Sequence, residues 1–184
     1  AEAYLCAQGM RTLAVGATVA IAGHPYLAIL AAMAAGVLSG FITALLQTKM
    51  GIDSLLAGII VNTGLYSINI AVMGGSSLLN MNKTETVFTK ARALLQGTVL
   101  SEQYKLLVAV IAVAAVVVFL TLFLRTRLGL AIRATGDNPD MVRSSSINPT
   151  FTTIVGLCVA NAFTGLSGCL LAQSQKSVSI DIGT

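Results

Sequence analysis

Ser167 carries the enzyme-like signal of the sequence. It stands in Gly165-Leu166-Ser167-Gly168, inside an apolar run. A serine in a G-x-S-G run on a membrane helix can serve as a nucleophile where a histidine on another helix is held as its base. The single histidine is His24, in a Gly-His-Pro turn that precedes the serine by most of the chain. Taken as chemistry, this pair describes an intramembrane serine protease. Taken as packing, Gly165 and Gly168 form a helix-packing surface and His24 is an interfacial turn residue, which is the reading the pattern favours.

Two polar stripes carry a more regular pattern. Asn62, Tyr66 and Asn69 recur at i, i+4 and i+7, one face of a helix. Asn161, Thr164 and Gly168 repeat this further on, with Gly165 beside them. Such groups on apolar helices either line a path for a polar solute or bond helix to helix. Interhelical bonds average only about 0.6 kcal/mol in membranes, so stability alone hardly requires these residues, and both readings stand. Gly36 and Gly40 supply a GxxxG face suited to packing on a neighbouring helix, with subunit dimerisation as the alternative.

Metal and nucleotide chemistry find no footing. Cys6, Cys158 and Cys169 lack metal-ligand spacing, and the last two share one predicted helix, so they cannot pair with each other. The stretch GGSSLLNMNKT, Gly74 to Thr84, ends in Lys-Thr but lacks the glycine before the lysine that lets backbone amides cradle phosphate. No metal or cofactor is expected on this chain.

The elements that position these residues follow from composition. The chain has 184 residues, 55% hydrophobic and 10% charged, with a mean hydropathy of +0.85. A soluble domain carries roughly 25% charged residues. Membrane lipid is therefore the solvent, and the expected fold class is all-α: a polytopic transmembrane helical bundle. The net charge of +4 fits basic residues flanking helices, and nucleic acid is not an expected partner.

Four runs are long enough to cross a bilayer: Pro25 to Thr48, Leu55 to Met73, Leu106 to Leu124, and Thr150 to Ala172. A shorter fifth candidate is Thr12 to Ala22. The tight turn KMGIDS makes the first two long helices antiparallel neighbours, and Gly74 to Lys105 is a polar loop with room for a short helix. The spans hold no charged residue, which weakens an ion-coupled mechanism. Lys49, Arg125, Arg127, Arg133 and Arg143 fall on one side, taken as cytoplasmic; Lys83, Lys90, Arg92, Lys105 and Lys176 fall on the other.

Between the last two spans lies GLAIRATGDNPDMVRSSSIN, Gly129 to Asn148, within a polar segment of about 125–149. Gly136 is placed to end one short helix in the left-handed conformation. Asp137 and Asn138 offer N-caps, Pro139 suits the first helical position, and Asp140 meets the positive helix end. Met141 and Val142 give an apolar edge; Arg133 and Arg143 give charged ones. The expected element is helix, turn, short helix, pinned at both ends by membrane spans.

That stretch resembles the cytoplasmic coupling segment of ABC transporter permeases of the branched-chain amino acid and sugar import type, which has the form GxAxRAxGDNPxMARxxGIN. KMGIDSLLAGIIVNT is similar to the turn that leads into a membrane helix in the same family. The match departs at Ser144, Ser145 and Ser146, where the family has small or apolar residues and a glycine.

The resemblance covers the chain from about Ala14 onward and implies a single permease domain, 1–184, that is part of a longer chain with further helices. It implies a permease subunit of an ATP-driven importer in a bacterial plasma (inner) membrane, with ATP bound by a separate ATP-binding subunit. A second permease copy or homologue and an extracytoplasmic solute-binding protein complete the implied partners. Arg133, Gly136, Asp137, Asn138, Pro139, Asp140, Met141, Val142 and Arg143 would meet the ATPase. An ATP-independent carrier or channel is the alternative, and a scaffold subunit a third.

Overall fold

The computed structural model describes residues 25–72, 78–80, 104–175 and 177–179. The fifth span candidate (12–22), His24, Cys6, the Lys-Thr look-alike apart from residues 78–80, the basic residues Lys83, Lys90, Arg92 and Lys176, and most of the polar loop lie outside the described residues.

Among the described residues, helices α1 (Pro25–Lys49) and α2 (Ser54–Val72) are followed by strand β1 (Leu78–Asn80). Helices α3 (Tyr104–Leu124), α4 (Arg127–Asp137), α5 (Pro139–Ser144) and α6 (Pro149–Gln175) come next, then strand β2 (Ser177–Ser179). Four helices, α1, α2, α3 and α6, are long and apolar enough to cross a membrane. At about 1.5 Å per residue, the 27 residues of α6 exceed the roughly 30 Å of a hydrocarbon core. The fold is an all-α membrane bundle, and the protein is an integral membrane protein. The two strands pair as an antiparallel ribbon that no sequence pattern foretells, in which Leu78 faces Ser179 and Asn80 faces Ser177. Strands of three residues are too short for a period-two pattern to show.

The main seam joins α1 to α6 rather than α1 to its chain neighbour α2. On α1, Ala28, Ala32, Gly36, Gly40 and Ala44 repeat every four residues, so they form one stripe, and all five are buried. A Cβ on Gly40 would lie 2.7 Å from the Leu157 carbonyl oxygen, and one on Gly36 would strike the Asn161 carbonyl oxygen. The two backbones therefore meet at van der Waals distance, which is how helices associate where lipid is as apolar as the side chains. The pairing of Gly36 with Asn161 and Gly40 with Leu157 makes the helices antiparallel. That register sets Ala32 and Ala28 level with the buried Gly165 and Cys169.

Two hydroxyl residues in this seam bond within their own helix. Ser39 Oγ donates to the Gly36 carbonyl at 2.9 Å and Thr43 Oγ1 to the Ser39 carbonyl at 2.9 Å. Helix carbonyls so used give hydroxyls a partner inside an apolar interface, at a slight cost to the helix.

The turn after α1 needs a glycine. Gly51 has φ +64, and the Ile52 N–H returns to the Leu46 carbonyl at 3.3 Å. Asp53 then caps α2, its Oδ1 accepting from the Leu55 N–H at 2.8 Å. By the α1–α6 register, this turn and the α4–α5 segment lie on the same side of the bundle. Lys49, Arg125, Arg127, Arg133 and Arg143 thus share that side.

α3 runs beside α6 with little burial. Phe119 meets Phe163 edge-on with ring centroids 5.6 Å apart, and stacks on Phe123 in its own helix. An apolar groove of about 640 Å³ separates the two helices, lined by Leu106, Val113, Phe163, Leu166 and Ser167 among others.

Candidate functional site

The segment between α3 and α6 is built as two caps around one asparagine. Thr126 starts α4, its Oγ1 accepting from the Gly129 N–H at 3.3 Å. Gly129 is buried where the chain doubles back, and a Cβ there would lie 2.5 Å from Leu124 Cα. α4 then continues through Gly136 to Asp137.

Asn138 ends one helix and begins the next. Its N–H reaches back to the Ala134 carbonyl at 3.0 Å. Its Oδ1 accepts from the N–H groups of Asp140 at 3.1 Å and Met141 at 3.2 Å. This corrects the expectation for Gly136, which lies within the helix and has no positive φ. Pro139 disfavours helical backbone in the residue before it, and Asn138 is accordingly extended at φ −155. The break falls there, and no left-handed residue is needed. Pro139 occupies the first turn of α5, with Asp140 at the N-terminal end and Arg143 in the last turn, both favourable to the helix dipole.

The exit from α5 is where the sequence departs from the family pattern. Ser146 is left-handed at φ +60, at the position where that pattern carries glycine. A side chain in this region costs roughly 1–2 kcal/mol. Ser146→Gly is therefore expected to stabilise the segment by about 1 kcal/mol, read as slower amide hydrogen exchange across α5; unchanged exchange would refute the strain.

Exposure sorts the candidate contacts. Arg133, Gly136, Asp137, Asn138, Pro139, Asp140, Met141 and Arg143 are on the surface, Met141 at 70%. Val142 is not: it is 4% exposed and turned into the protein, so of the two apolar residues expected to meet a partner only Met141 is presented. A cavity of about 230 Å³ opens between α4 and α5, lined by Ala134, Asp137, Asn138, Met141, Val142, Ser145 and Ile147. Missed by the sequence reading was Thr135, whose Oγ1 lies 2.8 Å from Thr152 Oγ1 and ties α4 to α6.

The polar stripes are placed differently from each other. Asn69 is buried at 3% exposure, Asn62 is half-buried, and Tyr66 is 39% exposed. Asn161 is wholly buried in the α1–α6 seam, its Nδ2 donating to the Leu157 carbonyl at 3.1 Å. Thr164 is half-buried and bonds the Ala160 carbonyl at 2.7 Å. The Oδ1 atoms of Asn62 and Asn161 are buried and accept no hydrogen bond among the described residues. Neither cavity described above is lined by a stripe residue. Gly165 and Gly168 are buried, whereas Ser167 is exposed and donates to the Thr164 carbonyl at 2.9 Å.

Among the described residues, four apolar spans with a capped, charged elbow on one side make this a polytopic membrane domain. The chain belongs to the family described as branched-chain amino acid transport system / permease component, whose model matches residues 4–184. It is 35% identical over 162 residues to a tyrosine transport system permease protein of Clostridioides difficile, covering 87% of this chain and 51% of that protein. It is 28% identical over 171 residues to a nucleoside ABC transporter permease protein of Lactococcus lactis, covering 85% of this chain and 47% of the other. The chain thus spans about half the length of these relatives. No solved structure matches it.

Proposed function

We propose that this chain forms part of the membrane permease subunit of an ATP-driven ABC importer for a small polar solute. The observation that carries the reading is the elbow: two capped helices, exposed and charged, held between two spans on the side that bears Lys49 and the arginines. We assign that side to the cytoplasm. A separate ATP-binding subunit would grip Arg133, Asp137, Pro139, Asp140, Met141 and Arg143, with Gly136 and Asn138 shaping the backbone they stand on. This chain would bind no cofactor; ATP would sit on the partner. A second permease copy or homologue would close the path, and an extracytoplasmic solute-binding protein would deliver the solute.

Closure of the ATPase subunits would move the elbow, and with it α3 and α6, alternating access to a path between spans. The buried Asn62 and Asn161 oxygens, which accept no hydrogen bond among the described residues, support a polar lining, because a buried acceptor without a donor is costly. A solute hydroxyl or amino group would supply that donor once the spans part; Tyr66, Asn69 and Thr164 would line the same path. The names of the relatives favour an amino acid or a nucleoside-like molecule, the family description favours an amino acid, and the resemblance of Gly129 to Asn148 to the amino acid and sugar import type adds a sugar. In the four spans the charged residues, Lys49 on α1 and Lys105 on α3, stand at or next to a helix end and none in the middle, which speaks against proton-coupled carriage.

The test is affinity capture of the tagged full-length protein in mild detergent, followed by an ATPase assay on the eluate. Capture with the wild type, and loss when residues 139–143 are replaced by Gly-Ser, is the expected result. Failure to capture an ATPase in several detergents would put an ATP-independent carrier first.

A further inference from the structure

α4 is joined to α6 by contacts that act along its length. Thr135 Oγ1 and Thr152 Oγ1 are 2.8 Å apart, and Thr152 is only 2% exposed. Each hydroxyl also reaches a carbonyl in its own helix, Thr135 to Ala131 at 2.7 Å and Thr152 to Pro149 at 2.9 Å. A hydroxyl has one hydrogen, so one threonine donates across the interface while the other donates within its helix. Beside this pair, a Cβ on Gly156 would lie 3.3 Å from Ile132 Cγ2. Ile132 and Thr135 are three apart on α4, and Thr152 and Gly156 are four apart on α6, so each pair shares a face.

These two contacts do different work. The Gly156–Ile132 approach sets how close the helices come but is non-directional, so it leaves α4 free to roll. A hydrogen bond weakens steeply with angle, and the threonine pair fixes that roll. α5 has no comparable polar tie among the described residues: it is attached through Val142, with its other side chains exposed.

We propose that α4 and the first two turns of α6 form one mechanical body, with Thr135 and Thr152 as the positioning residues that convert displacement of the elbow into tilt of α6. The inference rests on the coupling reading above but is tested separately from it.

Spin labels at Leu130 on α4 and Phe151 on α6, both more than half exposed, report the distance across the body. In the full chain reconstituted alone in lipid nanodiscs, wild type is expected to give one narrow distance distribution. Thr135→Val, which keeps the shape and removes the hydroxyl, should lose that single narrow peak; Thr152→Val should do the same, and Thr135→Ser should restore it. In the complex with its ATPase, the wild-type distribution should be the same without nucleotide and after trapping with ATP and vanadate. A valine variant indistinguishable from wild type, or a wild-type distance that changes on trapping, overturns the proposal. Failure of any ATPase to co-purify sinks the coupling reading instead, while the nanodisc comparison still decides whether the two helices are locked.

Discussion

Gly36→Leu is expected to break the α1–α6 seam and leave a chain that does not hold its bundle. A Cβ at this position strikes the Asn161 carbonyl, and the Cα of Ala162 lies only 3.3 Å away. The obstacle is backbone, so no rotamer change relieves it and the helices must separate. Overpacking costs typically 1–3 kcal/mol, and with backbone on both sides about 3 kcal/mol or more is expected. Thermal unfolding in detergent should show the loss. Gly64→Leu is the control: it lies in a membrane helix, with nothing within 4 Å of its Cβ. Its expected effect is within about 0.5 kcal/mol. Equal losses at the two glycines would show that the close approach at Gly36 is not what sets stability, since leucine raises helix propensity at both sites.

The double change Asp140→Ala with Arg143→Ala should separate stability from coupling. The two side chains approach at 4.0 Å while 70–89% exposed, one turn apart on a six-residue helix. An exposed pair of this kind is worth at most about 1 kcal/mol, so the melting temperature should barely move. Seated against a partner, the same charges leave water, and truncating one side of a desolvated charge pair costs about 2–5 kcal/mol. The captured ATPase should therefore be lost from the double variant even at low salt. Retention of the ATPase with wild-type affinity would falsify the docking role.

What the sequence made legible divides along a physical line. Span positions are set by local composition, and the observed Pro25–Lys49, Ser54–Val72, Tyr104–Leu124 and Pro149–Gln175 lie close to the apolar runs that foretold them. Capping is also local, and Asn138 and Pro139 announce the α4–α5 break within a few residues. Gly136 misled because glycine often ends helices, whereas here the proline already dictates where the chain turns. Ser146 shows the converse: a serine holds a left-handed position that its side chain did not advertise.

Partner choice was harder to read. That α1 seats most closely on α6 depends on two small-residue faces more than a hundred positions apart, which single-helix periodicity cannot pair. The inward turn of Val142 and the Thr135–Thr152 tie belong to the same class. Each depends on where a neighbouring element arrives, and no window of sequence around the residue contains that information.

A stripe that repeats every four residues raises a problem of indexing. Ala28, Ala32, Gly36, Gly40 and Ala44 would look much alike to α6 after a slip of one helical turn, about 5.4 Å. The two tight spots remove the ambiguity. A slip in one direction brings Ala44 to the place of Gly40, where its methyl would meet the Leu157 carbonyl at 2.7 Å and the Asn161 amide at 3.0 Å. A slip in the other brings Ala32 to the place of Gly36, against the Asn161 carbonyl. Only one alignment sets both glycines at both narrow points, so the alanines grade the scale and the glycines mark its zero.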